Sequence, residues 1–146
     1  MNPTVQLIFT IAGAALVLLT VYGAIKLDRK LFLSGLCFFS ILPIIGETMG
    51  YNTDKASVHI VVIFVFVIQF ILALPNKIVY GADNLAATQL VTKIALSILV
   101  INVVGAVFVL YLSPQVPAQF GYYHIAFSLS ILYVLIKRSM SGAWVK

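Results

Sequence analysis

Three side chains that can exchange protons sit within or beside long apolar runs of this chain: Glu47, His59 and His124. A carboxylate facing two imidazoles titrates as one coupled group rather than as separate acids. Such a group takes up and releases protons near neutral pH, and with Tyr123 beside it forms a candidate proton or ion site. Two histidines on different helices can also serve as the axial ligands of one haem b, which makes His59 and His124 a candidate cofactor-binding pair. The same three residues offer enough nitrogen and oxygen ligands for an open zinc site, but the HExxH spacing is absent and no metal site is expected. Deeper in the apolar runs, Gln69, Asn102 and Lys93 form a possible polar path, with Ser40, Ser97, Ser128 and Ser130 as further steps. Each has a plainer role as well. Histidines and a glutamate near a membrane edge bond to headgroups and water, Gln69 and Asn102 bond between helices, and Lys93 snorkels to the surface.

The elements that must position these residues follow from composition. The chain is 62% apolar and only 9% charged, with a mean hydropathy of +1.12. Five stretches, 5–25, 31–51, 57–74, 88–112 and 119–136, approach the ~20 residues needed to cross the hydrocarbon layer. The third is rich in Val, Ile and Phe, which favours strand in water; in lipid, every backbone group must be paired within its own segment, which favours helix. In the second, the uncharged part 31–46 spans only about 24 Å at the helical rise, so a full crossing carries Glu47 inside. Pro43 removes a backbone hydrogen bond nearby and predicts a kink. Pro75-Asn76 ends the third stretch, and Ser113-Pro114-Gln115-Val116-Pro117 ends the fourth. In the break between them, Ile78-Val79-Tyr80 is placed at headgroup level, and Asp83, Asn84 or Thr88 is expected to cap the fourth helix. Trp144 suits an interfacial anchor.

Charge sets the threading. With the N-terminus outside, Lys26, Arg29, Lys30, Lys77, Lys137, Arg138 and Lys146 fall inside, Lys93 reaches the same surface, and only Lys55 is outside. This is the positive-inside pattern. It places Glu47, His59 and His124 at similar depth near the outer face, with Tyr51, Tyr111, Tyr122 and Tyr123 at that level and Asn52 and Asp54 just above. The expected fold is therefore all-α: a single domain, 1–146, with five transmembrane helices, an outside N-terminus and a cytoplasmic C-terminus, in a bacterial inner membrane. Four crossings, with 31–46 re-entrant, would break the charge pattern for everything that follows. The first stretch lacks the basic start of a signal peptide and is longer than its apolar region. The basic residues are spread over short loops without a basic-aromatic face, so nucleic acid is not expected as a partner.

Cys37 lies alone in an apolar run and reads as a small buried hydrophobe. Phe38, Phe39, Phe64, Phe66 and Phe70 read as lipid-facing or packing surface, and Gly13 and Gly105 as points of close helix approach. No phosphate-binding glycine loop, Ser/His/Asp set, CxxC pair or acidic metal cluster occurs, so the reading leans away from an enzyme. The first expectation is a non-enzymatic subunit or oligomeric component of a larger membrane assembly, its partners being the lipid bilayer and other membrane chains or copies of itself. The alternatives are a proton- or cation-coupled transporter or channel using Glu47 with His59 and His124, and a b-type haem protein.

Overall fold

The structure, a computed structural model, describes residues 2–75 and 85–141, with side chains for all of these except 85–88 and 138–141. The expectations for Lys77, Ile78-Val79-Tyr80, Asp83, Asn84, Trp144 and Lys146, and for the side chains of Thr88 and Arg138, lie outside the described residues. Among those described there are five helices and no strand. They are α1 (Pro3–Lys26), α2 (Arg29–Asp54), α3 (Ser57–Leu72), α4 (Leu85–Val107), which runs on as a π-helical turn Phe108–Leu112, and α5 (Ala118–Ser141). Four segments are long and apolar enough to cross a membrane: Pro3–Lys26, Arg29–Asp54, Gln89–Leu112 and Ala118–Lys137. The fifth helix, α3, is apolar but has only 16 residues.

Local chemistry sets the helix ends. The Asn2 side chain accepts from the Thr4 N–H at 2.9 Å, and Pro3 occupies the first turn, where no backbone donor is needed. At the other end Leu27 takes a left-handed conformation, φ 54°, and the Asp28 N–H turns back to the Gly23 carbonyl at 2.8 Å. Asp28 then caps α2 by accepting from the Leu31 N–H at 3.0 Å, so two residues reverse the chain. Lys55, also left-handed at φ 60°, reverses it again between α2 and α3. Pro43 lies inside α2, which continues past it.

These reversals give the bundle two ends. The turn at 27–28 marks the lower end; the turns at 55–56 and 113–117 mark the upper. α1 packs between α2 and α5, α3 lies beside α2, and α4 lies beside α5; α3 and α4 close the ring with the lightest contact. α1 and α2 approach closely because a Cβ on Gly35 would overlap the Thr20 hydroxyl and one on Gly23 the Phe32 backbone. At the upper end the Tyr123 hydroxyl donates to the Thr10 carbonyl at 2.9 Å and the Gln119 amide to the Thr10 hydroxyl at 3.1 Å, tying α5 to α1. Phe32, Leu36, Phe39, Ile98, Phe127 and Ile131 fill the core. Thr20, Ser40, Gln69 and Asn102 are fully buried, while Leu18, Phe64, Val104 and Leu129 stand exposed. An apolar exterior around a partly polar interior fits a membrane protein better than a water-soluble one.

Candidate functional site

The two histidines occupy two different environments, and one cavity touches both. His59 is the third residue of α3. Its Nδ1 lies 2.5 Å from Glu47 Oε2, and its Nε2 lies 3.1 Å from the Asp54 carboxylate. The short reversal at 55–56 makes this possible: it folds the start of α3 back along the last two turns of α2, which carry both acids. Gly50, one turn above Glu47, leaves room for the ring; a Cβ there would come within 2.6 Å of His59 Cε1. The Asp54 carboxylate also accepts from the Ala56 N–H at 2.8 Å. That backbone bond, and then the imidazole, hold its carboxyl below the usual carboxylate range. Lys55, the nearest cation, points elsewhere, with its Nζ 5.0 Å from the centre of the Tyr51 ring and 3.5 Å from Asn52 Oδ1.

Protons can be counted from this geometry. Two carboxylates on one ring call for two donors, which only the imidazolium possesses; otherwise one carboxyl must carry the second proton. In both cases the group holds two shared protons and a single net negative charge. Neither ring nitrogen is left over to bind a metal or a haem iron. Among the described residues no cluster of histidine, cysteine and carboxylate suits a metal ion.

His124 lies on α5, deeper in the bundle and only 4% exposed. Its Nδ1 is 2.9 Å from Asn102 Oδ1 on α4. Asn102 Nδ2 donates to Gln69 Oε1 on α3 and to the Ile98 carbonyl, both at 2.9 Å. Gln69 Nε2 donates to Ser40 Oγ on α2 at 3.1 Å, and Ser40 donates to the Leu36 carbonyl at 2.9 Å. A buried line of hydrogen bonds thus joins four helices. Its direction is fixed: both donor contacts of Asn102 run to carbonyl oxygens, so its Oδ1 is the acceptor and His124 Nδ1 must carry the hydrogen. In the neutral ring, Nε2 is then a lone pair. The ring lies against Gly105, where a Cβ would sit 3.1 Å from three of its atoms. Phe66 lies 5.6 Å from it and Phe39 meets it edge-on at 5.4 Å.

Above this line is a cavity of about 340 Å³ whose lining includes Glu47, His59 and His124, the turn residues Ser113 and Gln115, and Phe9, Phe39, Phe66, Phe108 and Phe120. Glu47 and His59 keep 23% and 18% of their side-chain surface exposed, so they stand at the mouth, and His124 forms part of the floor. The π-helical turn supplies Phe108 and Val109 to the wall; such turns recur at functional sites. Below the line a second cavity of about 70 Å³ is lined by Arg29, Leu36, Leu72, Ile98 and Ile131 among others.

The sequence-derived site residues therefore divide. Glu47 and His59 meet. His124 faces the same cavity but bonds to Asn102 instead. Tyr123 turns to Thr10 on α1. Gln69 and Asn102 join each other, whereas Lys93 is exposed on α4 and takes no part in the line. Asp54, Ser113 and the two glycines under the rings carry more of the geometry than their residue types announce. The signal for Asp54 was its spacing of five residues before His59 across a tight turn; for Ser113 no sequence signal exists. Of the phenylalanines expected at the lipid or packing surface, Phe38 and Phe64 are exposed, whereas Phe39 and Phe66 line the cavity. Set against protein-family models, curated proteins and solved structures, the chain matches none of them.

Proposed function

We propose that this chain crosses the membrane five times, N-terminus outside and C-terminus in the cytoplasm, and couples a proton to the movement of a small ligand. The observation that carries the reading is His59 held between two carboxylates at the mouth of a cavity whose floor is a second histidine. The buried hydrogen-bonded line beneath that floor separates the upper cavity from the lower one, as a carrier closed on one side requires. That line is a barrier rather than a proton wire, because its amides pass donors one way and it ends on a backbone carbonyl. The threading draws on charge: Lys26, Arg29 and Lys30 cluster at the lower end and Lys137 lies toward it on α5, whereas Lys55 stands at the upper end. The bacterial inner membrane is the setting we infer from that same pattern. At about 24 Å, α3 falls short of the full hydrocarbon thickness, which the bilayer meets by thinning.

Glu47 is the group assigned to the proton, His59 and Asp54 share it, and His124 meets the ligand. In liposomes carrying an internal pH dye, the reconstituted protein should move protons when a transported ligand is added. Glu47→Gln should abolish that movement while the variant still folds. Unaltered proton movement in Glu47→Gln ends this reading.

A second reading, a subunit of a larger assembly, draws support from α3, whose buried side chains are only Phe66 and Gln69 and whose Val61, Phe64, Ile68 and Ile71 are exposed. A protein that runs as a lone monomer in mild detergent and brings nothing with it from native membranes removes that reading. The haem alternative gains no support, because both nitrogens of His59 are taken by carboxylates.

A further inference from the structure

Two polar side chains on the wall of the upper cavity are almost completely buried, and each has a polar atom with no partner among the described residues. Ser113 is 2% exposed and His124 4%. Among the described residues nothing bonds to the Ser113 hydroxyl or to His124 Nε2. A buried polar atom left unsatisfied is costly, and two of them facing the same space mark a place where something with donors belongs. The His124 tautomer specifies what kind. With Nδ1–H committed to Asn102, Nε2 accepts and does not donate, and the serine hydroxyl can accept beside it.

The remaining walls narrow the class. Among the described residues, five phenylalanines, Phe9, Phe39, Phe66, Phe108 and Phe120, line the cavity, and no lysine or arginine does. Aromatic faces attract cations, more strongly where water is excluded. Among the described residues the charged groups that line it are Glu47 of α2 and His59 of α3; with Asp54 on the far side of the ring they carry one net negative charge, and Lys55 turns away to Tyr51 and Asn52. The polar groups that α1 and the 113–117 turn contribute are neutral: Gln6, Ser113 and Gln115. An anion finds no counter-charge here. The cavity, about 340 Å³, falls within the ~300–1,000 Å³ typical of small-molecule sites.

We propose that the upper cavity binds an apolar amine as its ammonium ion, the N–H groups donating to His124 Nε2 and Ser113 Oγ and the apolar body lying among the phenylalanines. This rests on the proton-coupled reading and names its ligand class. Entry of the cation releases one proton from the Glu47–His59–Asp54 group. Before entry the group holds two shared protons and one net negative charge. Afterwards it holds one proton and two negative charges, the second balanced by the ammonium ion. Charge in the site is conserved, no covalent bond forms or breaks other than to that proton, and one ammonium ion exchanges for one proton.

The test is calorimetry on the purified full chain in detergent, run in two buffers of different ionisation enthalpy so that proton release is read directly. Three probes share the 2-phenylethyl body and differ at the polar end: 2-phenylethylammonium, trimethyl(2-phenylethyl)ammonium, which is a cation without N–H, and 2-phenylethanol, which is a donor without charge. The ammonium probe should bind with release of about one proton and at least tenfold more tightly than either of the others, a difference of about 1.4 kcal/mol. Ser113→Ala should weaken it several-fold, and Glu47→Gln should remove the proton release. Should Ser113→Ala fail to fold, the ranking of the three probes in the unaltered protein decides alone. Equal binding of the quaternary cation overturns the role of His124 and Ser113. Equal binding of the alcohol without proton release makes this a neutral-donor site and overturns the proposal, and no binding of any probe leaves a water-filled cavity and overturns it too. Binding with proton release but without liposome flux would sink the transport reading and leave this inference standing. Proton flux driven by other ligands, with no probe bound, would do the reverse.

Discussion

The two imidazoles of this bundle are seated by the same local device. In each case one helix carries a side-chain acceptor and, three residues later, a glycine, and the ring from the next helix in the chain bonds to the first and lies on the second. Glu47 and Gly50 receive His59; Asn102 and Gly105 receive His124. The seats differ in the acceptor and in depth. A carboxylate near the surface, with Asp54 on the far side of the ring, leaves both ring nitrogens bonded to acids at a partly exposed site. An amide in the core, itself held by two further bonds, fixes one tautomer and leaves one lone pair. The lesson is that the partner, more than the imidazole, decides whether a histidine in such a bundle joins a charged, partly exposed group or a neutral, buried one.

The strongest way to break this contrast is to cut the deep seat. Asn102→Leu strands the His124 Nδ1–H and the Gln69 carbonyl oxygen in the core. The two losses together should cost about 2–4 kcal/mol, seen as a lowered thermal midpoint in detergent. Glu47→Gln, at a partly exposed site, should cost less than about 1 kcal/mol while abolishing proton movement. Equal destabilisation by both would show that the two seats do not differ as described.

The glycines sharpen the same contrast. Gly105→Ala presses on a ring with Phe39 and Phe66 around it, and should destabilise by about 1–3 kcal/mol. Gly50→Ala makes the closer clash, yet His59 can swing outward, so stability should fall little while proton movement is lost. The reverse ranking in thermal unfolding would contradict the packing described. Ser40→Ala, at the end of the buried line, leaves only the Gln69 amide unpaired and should cost about 1 kcal/mol, less than Asn102→Leu in the same assay.

The smallest effect belongs to Asp54. Its carboxyl titrates below the ordinary range because of the Ala56 N–H and then His59. A depressed folded value means the contribution to stability is present above the ordinary carboxylate pKa, about 3.9, and is lost as pH falls through the lower folded value. Asp54→Asn should therefore lower stability slightly at neutral pH and flatten its fall on acidification, read by pH-dependent melting. An unchanged acid limb would place the interaction elsewhere.

The near-surface seat was legible in the sequence to a large extent. Span two is too short without Glu47, and the reversal after Tyr51 brings the start of α3 back beside it. The deep seat was not. His124 was expected in one layer with Glu47 and His59, and instead pairs with Asn102, because which residues of α3, α4 and α5 face inward depends on helix rotation. Rotation is read from amphipathic pattern in a soluble protein. Here the lipid face and the core face are both apolar, so Phe39 and Phe38, adjacent in sequence and opposite in environment, look alike. The π-helical turn at 108–112 is equally silent, since the residues Phe108-Val109-Leu110-Tyr111-Leu112 would serve an ordinary helix as well.

Followed from α5 to α2, every donor in the buried line points the same way, from imidazole to amide to amide to hydroxyl to carbonyl. A helix rotated by one position, about 100°, would withdraw its polar side chain and bring an aliphatic one in its place, stranding a neighbour on each side. Oily contact by itself scarcely distinguishes one angular setting of these helices from another. The four polar side chains therefore key the assembly, making one orientation of α2, α3, α4 and α5 cheaper than its rotated decoys.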